Sequence, residues 1–166
     1  LSGATGPALD LLVIHVDASI AAEADLQEGD DDPVADLQQP CPPVASTAIR
    51  LRQVIAHWLR QDTLPSKVVL AIPAQDTESW TFTALFPDDE LCTRSVYECL
   101  RSGANHPGYR LTLKKYGKLL RRTDGQIKKP ERVYQTIAPQ VAEAWKTVRE
   151  RCSQAEQFTR DVEQHA

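Results

Sequence analysis

Methionine is absent from all 166 residues of the chain, and neither lysine nor arginine occurs before Arg50. Because the chain starts at Leu1 without a methionine, the native amino terminus can lie upstream of it. Long apolar runs are absent too, since no stretch approaches the roughly 20 apolar residues that a membrane-spanning helix needs. We therefore predict no membrane partner. An apolar content of 42% with 25% charged residues is typical of a globular domain.

No two cysteines form a Cys-x-x-Cys motif, and none has a histidine at the spacing of a metal site. These absences exclude the common zinc-site patterns and disfavour a disulfide framework. We therefore expect free thiols in a reduced, cytoplasmic protein. The four residues are Cys41, Cys92, Cys99 and Cys152.

Two short apolar runs are the strongest positive signal. Residues 9–16 are followed by Asp17, and residues 67–72 are followed, after a proline, by Glu78. Continuous valine, leucine and isoleucine runs are typical of central strands in a parallel sheet, because helices cover both faces of such a sheet. An amphipathic helix is expected between the two runs. The sequence therefore predicts an α/β fold, with a compact, mostly parallel sheet and flanking helices.

The other segments predict a long loop and a helical carboxyl-terminal region. Residues 18–43, rich in acids and prolines, predict an acidic loop. We expect an α/β core over residues 1–105, and residues 106–166 as a basic segment and helices packed on the same domain. Further helices are expected from Asp76 or Thr77 to Phe86, from about Asp88 to Arg101, and from Pro139 towards Ala166.

Asp17 and Glu78 are the candidate catalytic residues. Ligands of parallel sheets bind beyond the carboxyl ends of the strands, and both acids should reach that edge. Two carboxylates at one edge can hold a divalent metal ion and so favour phosphoryl chemistry. The simpler alternatives are a strand-end cap for Asp17 and, for Glu78, an acid placed favourably in the helix dipole.

Positive charge is concentrated between Arg110 and Arg132, where nine cations face only two acids. Neighbouring tyrosines could stack on bases while the cations contact phosphates. For the secondary structure of this segment, the alternatives are a short strand with a turn at residues 124–125 or a frayed helix. For its function, the alternative to nucleic-acid binding is that the cations simply form a face exposed to solvent. The predicted nucleic-acid-binding residues are Lys114, Lys115, Lys118, Arg121 and Arg122.

The order of these motifs resembles that of the DUF4276 family, small bacterial proteins thought to carry a Toprim-like domain and related in outline to the RloB and OLD-type nucleases. The resemblance covers roughly residues 9–90, and residues 134–145 show a weaker similarity to the same family. The motifs that carry it are residues 12–18, Cys41-Pro42, an amphipathic helix, residues 68–71 and Glu78-Ser79-Trp80.

The resemblance implies a Toprim-like fold and a Mg²⁺-dependent nuclease or phosphodiesterase, in a bacterial defence or genome-maintenance setting. Asp17 matches the first acid of the Asp-x-Asp metal motif of the family, and Glu78 matches its acid before the tryptophan. Ser19 stands where the family has the second aspartate, and the early glutamate of the family has no counterpart before Asp17. Glu23, in the acidic loop, is the candidate for a further metal ligand.

These departures keep a second hypothesis open. A catalytically degenerate Toprim-like module could bind a protein partner through its acidic loop and basic face. A third class, a small-molecule phosphotransferase, has no nucleotide-binding motif in this sequence to support it.

Overall fold

The computed structural model describes residues 10–23, 26, 36–101, 103–124 and 126–165. The middle of the predicted acidic loop, residues 27–35, therefore lies outside the described residues. The chain is mixed α/β with about 52% helix. In the described part of the chain, no helix has the length and apolar character needed to cross a membrane.

A strand–helix–strand unit forms the first half of the fold. Strand β1, Leu12–His15, pairs in parallel with β2, Val68–Ala71, in a register that places Leu12 beside Val68. Helix α1, Ala45–Trp58, connects them and buries one apolar face, as its periodicity predicts. This confirms a small parallel sheet with flanking helices.

The expectation of central strands buried on both faces is wrong for β1. Leu12 and Val13 are 44% and 47% exposed. Among the described residues β1 pairs only with β2, so it is an edge strand and its outer face meets solvent. Strand β2 is much better covered, because helices pack over it.

Short elements and helices follow β2. Helix α2 begins directly after Asp76, and it is buried from Glu78 to Ala84. Strands β3 and β4 pair in an antiparallel hairpin within the basic segment. The bounds are α2 Thr77–Leu85, α3 Pro107–Leu111, β3 Arg121–Thr123, β4 Gln126–Lys128, α4 Glu131–Glu143, α5 Trp145–Arg151 and α6 Ser153–Glu163.

The helix predicted from Asp88 to Arg101 is wrong. Two 3₁₀ turns, Glu90–Thr93 and Tyr97–Cys99, replace it. Tertiary contacts explain the difference, since the Tyr97 hydroxyl donates to the Ser79 carbonyl at 2.7 Å and Cys99 is cross-linked to another segment. The start predicted at Pro139 is also wrong, because this proline lies inside α4.

Two hydrophobic clusters make up the core. The aliphatic core packs α1 against the sheet, and the aromatic core packs α2 against the carboxyl-terminal helices. Ring contacts dominate the second, such as that between Phe82 and Tyr116, whose centroids are 5.1 Å apart. The buried aliphatic core is Ala18, Ala21, Leu37, Ala48, Leu51, Val54, Ile55, Leu70 and Ile72.

The expectation of four free thiols is wrong for Cys41 and Cys99, which form a disulfide with a Cα–Cα distance of 5.6 Å. Their separation of 58 residues hides the pair from any local motif. Such a bond is typical of an oxidising compartment and does not support the expected cytoplasmic location. Cys92 and Cys152 are free and buried, and burial raises the pKa of the Cys152 thiol to about 12.

Candidate metal and nucleic-acid site

Asp17 and Glu78 converge on one cation, the side chain of Lys129. Asp17 follows β1, and Glu78 lies in the first turn of α2, beyond the end of β2. Because the strands are parallel, both acids come to the same edge of the sheet. The Lys129 Nζ lies 3.8 Å from Asp17 Oδ2 and 3.0 Å from Glu78 Oε1. Both carboxylates are therefore within reach of a single positive charge.

The Asp17 carboxylate is fixed by the start of α2. Its Oδ1 accepts hydrogen bonds from the Thr77 backbone N–H at 3.0 Å and from the Thr77 hydroxyl at 2.9 Å, and His15 Nε2 lies 3.3 Å away. Burial raises the pKa of Asp17, but the hydrogen bonds from His15 and Thr77 and the charge of Lys129 lower it more. The net pKa is below the ordinary value, so Asp17 is ionised at neutral pH.

Glu78 is a buried carboxylate with two donors on one oxygen. It is 2% exposed, and its Oε1 accepts a hydrogen bond from the Tyr134 hydroxyl at 2.5 Å in addition to the ion pair with Lys129. Burial and the neighbouring Glu78 both raise the pKa of Tyr134, which therefore stays a donor. Burial lowers the pKa of Lys129, but Glu78 and Asp17 raise it more, so the ammonium stays charged.

A buried histidine–aspartate contact lies behind Glu78. His106 Nε2 is 2.7 Å from Asp76 Oδ2, and both side chains are largely buried. A Cβ on Gly108 would lie 3.2 Å from the His106 ring and 3.3 Å from Glu78 Cγ, so a larger residue would push both side chains by a few tenths of an ångström. Among the described residues, Asp76 Oδ1 has no hydrogen-bond partner.

Glu23 does not join the acids. It is exposed and follows the 3₁₀ turn Ala18–Ala22. The described ranges contain no group of three or more His, Cys, Asp or Glu side chains placed to hold a metal ion. Mg²⁺, however, usually keeps several waters and binds through one or two carboxylates. The donor set of Asp17 and Glu78 fits that mode without a third protein ligand.

The predicted nucleic-acid-binding residues fall into two groups. Lys115 is 3.6 Å from Asp89 and lies 5.0 Å from the Tyr116 ring centroid, so it already has partners within the protein. In the described part of the chain, Lys114 has no ion pair. Three others, all exposed, line a cavity of about 550 Å³: Lys118, Arg121 and Arg122.

The β3–β4 hairpin connects this basic cavity to the acids. The register places Arg121 opposite Lys128, and Lys129 is the next residue along the chain. The Arg122 guanidinium, on β3, lies 5.7 Å from the ring centroid of Tyr109 in α3. The strand that ends just before Lys129 is therefore paired with the strand that carries Arg121 and Arg122.

Sequence reasoning missed the residues that complete the site. Lys129 was one of nine cations in a run, with nothing in its spacing to single it out. Tyr134 and His106 likewise have no local pattern that marks either as a partner of an acid. A comparison of the chain with protein-family models, curated proteins and solved structures gives no match. The functional interpretation therefore rests on the side chains of the site.

Proposed function

We propose that the protein is a Mg²⁺-dependent phosphodiesterase that acts on nucleic acid. The observation that carries this proposal is the convergence of Asp17 and Glu78 on a single cation, the Lys129 ammonium. Two carboxyl groups and a lysine at a sheet edge are a donor set suited to a metal ion and a substrate phosphate. The implied chemistry agrees with the resemblance to DUF4276 proteins, and the proposal includes their Toprim-like fold and bacterial defence setting.

Each side chain has a role in this proposal. Asp17 and Glu78 would hold the ion, and Thr77 and Tyr134 keep one oxygen of each acid in place. Bound Mg²⁺ would neutralise charge that develops on the phosphoryl group. Lys129, which is 45% exposed, can turn from the acids to a substrate phosphate. The cations of the hairpin would guide the polyanion, in a salt-dependent manner.

Metal binding and cleavage test the proposal together. We expect Mn²⁺ to bind in calorimetry, and labelled DNA or RNA to be cleaved with Mg²⁺ but not with EDTA. Asp17→Asn and Glu78→Gln should each abolish Mn²⁺ binding and cleavage, since each removes one of two carboxylates. Glu23→Gln is the control and should change neither, because its exposed carboxylate lies apart from the pair. Wild-type protein that binds no Mn²⁺ and cleaves no substrate would defeat the proposal.

The second candidate is a non-catalytic Toprim-like module that binds a protein partner. The observation that favours it is the same contact, because the Lys129 ammonium already lies between the two acids, where the metal ion would bind. In this case Lys129 replaces the metal permanently. Lys129→Gln separates the two candidates: it should gain Mn²⁺ binding if the lysine has replaced the ion. If the wild type already binds Mn²⁺ and Lys129→Gln loses only cleavage, the phosphodiesterase proposal is favoured.

A further inference from the structure

A large apolar cavity lies beside the paired acids. It has a volume of about 770 Å³ and is lined by residues of α2, α4, α5 and α6. Thr77 and Tyr134 line it, and these are the residues that hydrogen-bond to Asp17 and Glu78. Any molecule in the cavity would therefore border directly on the proposed site of phosphodiester cleavage.

Aromatic side chains give the cavity its chemical character. Tyr134, Trp145 and Phe158 contribute three rings to its lining. Trp145 is held by a hydrogen bond from its indole N–H to the Thr159 hydroxyl at 3.0 Å. Trp80 supports two of the rings from behind, with centroids 5.5 Å from Trp145 and 6.3 Å from Phe158. The rings are therefore fixed in place before any ligand arrives.

We propose that this cavity binds an unpaired nucleobase of the substrate, next to the phosphate that Lys129 would contact beside Asp17 and Glu78. This inference rests on the proposed function and deepens it by naming the substrate class. Bases stack on aromatic side chains regardless of sequence. The volume is within the usual range of small-ligand pockets, roughly 300–1,000 Å³. A base inside a duplex cannot enter, so the substrate is single-stranded or locally unpaired nucleic acid.

The surroundings favour a base over the acyl chain of a lipid phosphodiester. The Thr81 hydroxyl lines the cavity and can hydrogen-bond to the edge of a base, which an acyl chain cannot do, whereas Thr77 and Gln135 already bond to Asp17 and Glu131. The hairpin cations also continue away from the acids, which suits a ligand with many phosphates.

The test measures binding in EDTA, so that it does not depend on catalysis. The probes are a labelled single-stranded oligonucleotide and an abasic oligonucleotide of the same length. We expect the abasic probe to bind roughly fivefold more weakly or worse, because it cannot stack. Ala138→Trp, which fills the cavity from an exposed position on α4, should remove this difference and leave the salt-dependent part of binding intact. Gln140→Trp, exposed on the same helix but not lining the cavity, should keep the difference.

Three results would overturn the base pocket. One is equal affinity for both probes, and another is duplex binding as tight as single-strand binding. The third is micelles of a lysophospholipid that compete with the oligonucleotide in the wild type but not in Ala138→Trp. Ala142→Leu, also exposed and lining the cavity, repeats the test if Ala138→Trp fails to fold. None of these results affects Mn²⁺ binding, so failure of the pocket and failure of the phosphodiesterase proposal can be distinguished.

Discussion

The two halves of the core are built in different ways. The aliphatic core comes from one regular strand–helix–strand unit, in which α1 lies over β1 and β2. The aromatic core is assembled from α2, the 3₁₀ turns that follow it, and the carboxyl-terminal helices α4, α5 and α6, which are far from α2 in the sequence. The aliphatic core follows from the local periodicity of apolar residues in the sequence. The aromatic core depends on ring packing between segments that are far apart in the sequence.

The candidate site lies where the two halves meet. Asp17 leaves the sheet on the aliphatic side, and Glu78 belongs to α2, which enters the aromatic core. Lys129 pairs with both acids, and the Cys41–Cys99 disulfide joins the start of α1 to the aromatic half. The candidate site is therefore built from links between the halves, and each link can be broken separately.

Breaking the covalent link should have the largest effect on stability. A disulfide that closes a loop of this length contributes about 4 kcal/mol by the chain-entropy model. We expect the double variant Cys41→Ser/Cys99→Ser to lose about that much unfolding free energy in urea denaturation, and wild-type protein in dithiothreitol to lose a similar amount. The double variant itself should not respond to dithiothreitol. If it does, the buried thiols Cys92 and Cys152 contribute, and the assignment of the effect to this bond is wrong.

Removing the Tyr134 hydroxyl should have the next largest effect. Tyr134→Phe keeps the ring and deletes one of the two donors to a buried carboxylate, and hydrogen bonds to charged groups are worth about 1.5–3 kcal/mol. We expect a loss of that size in unfolding free energy by urea denaturation. Tyr109→Phe is the matched control, since no hydrogen bond of the Tyr109 hydroxyl occurs among the described residues. An equal loss in both variants would show that Glu78 does not depend on Tyr134.

The regular half of the molecule could be predicted from the sequence. The stripe of Leu51, Val54 and Ile55 identifies α1, and the apolar runs identify β1 and β2. These features depend on neighbours in the sequence, so periodicity is enough to find them. The parallel pairing then brings Asp17 and Glu78 together, as the strand-end argument predicts.

The irregular half could not be predicted in the same way. Tyr134 is 56 residues from Glu78, and the disulfide spans 58, so no local pattern records either contact. The 3₁₀ turn at Tyr97–Cys99 replaces a predicted helix because its side chains are held by partners elsewhere. The run of cations predicts a basic face, but only the folded structure shows that Lys129 is the one that contacts both Asp17 and Glu78.

The smallest effect, and the sharpest test of the site itself, is the pH dependence contributed by Asp17. Its folded-state pKa is lower than the unfolded value of about 3.9. Ionised Asp17 therefore stabilises the folded protein fully above that value, and this contribution is lost as the pH falls through the folded-state pKa. In metal-free buffer, the difference in unfolding free energy between wild type and Asp17→Asn should be constant at neutral pH and shrink in acid. Asp62→Asn, at an exposed position without an ion pair in the described part of the chain, corrects for the loss of one surface carboxylate. If the difference in unfolding free energy between wild type and Asp17→Asn stays constant through the acid range, Lys129, His15 and Thr77 do not hold Asp17 as a charged group. The candidate metal site would then lose one of its two ligands.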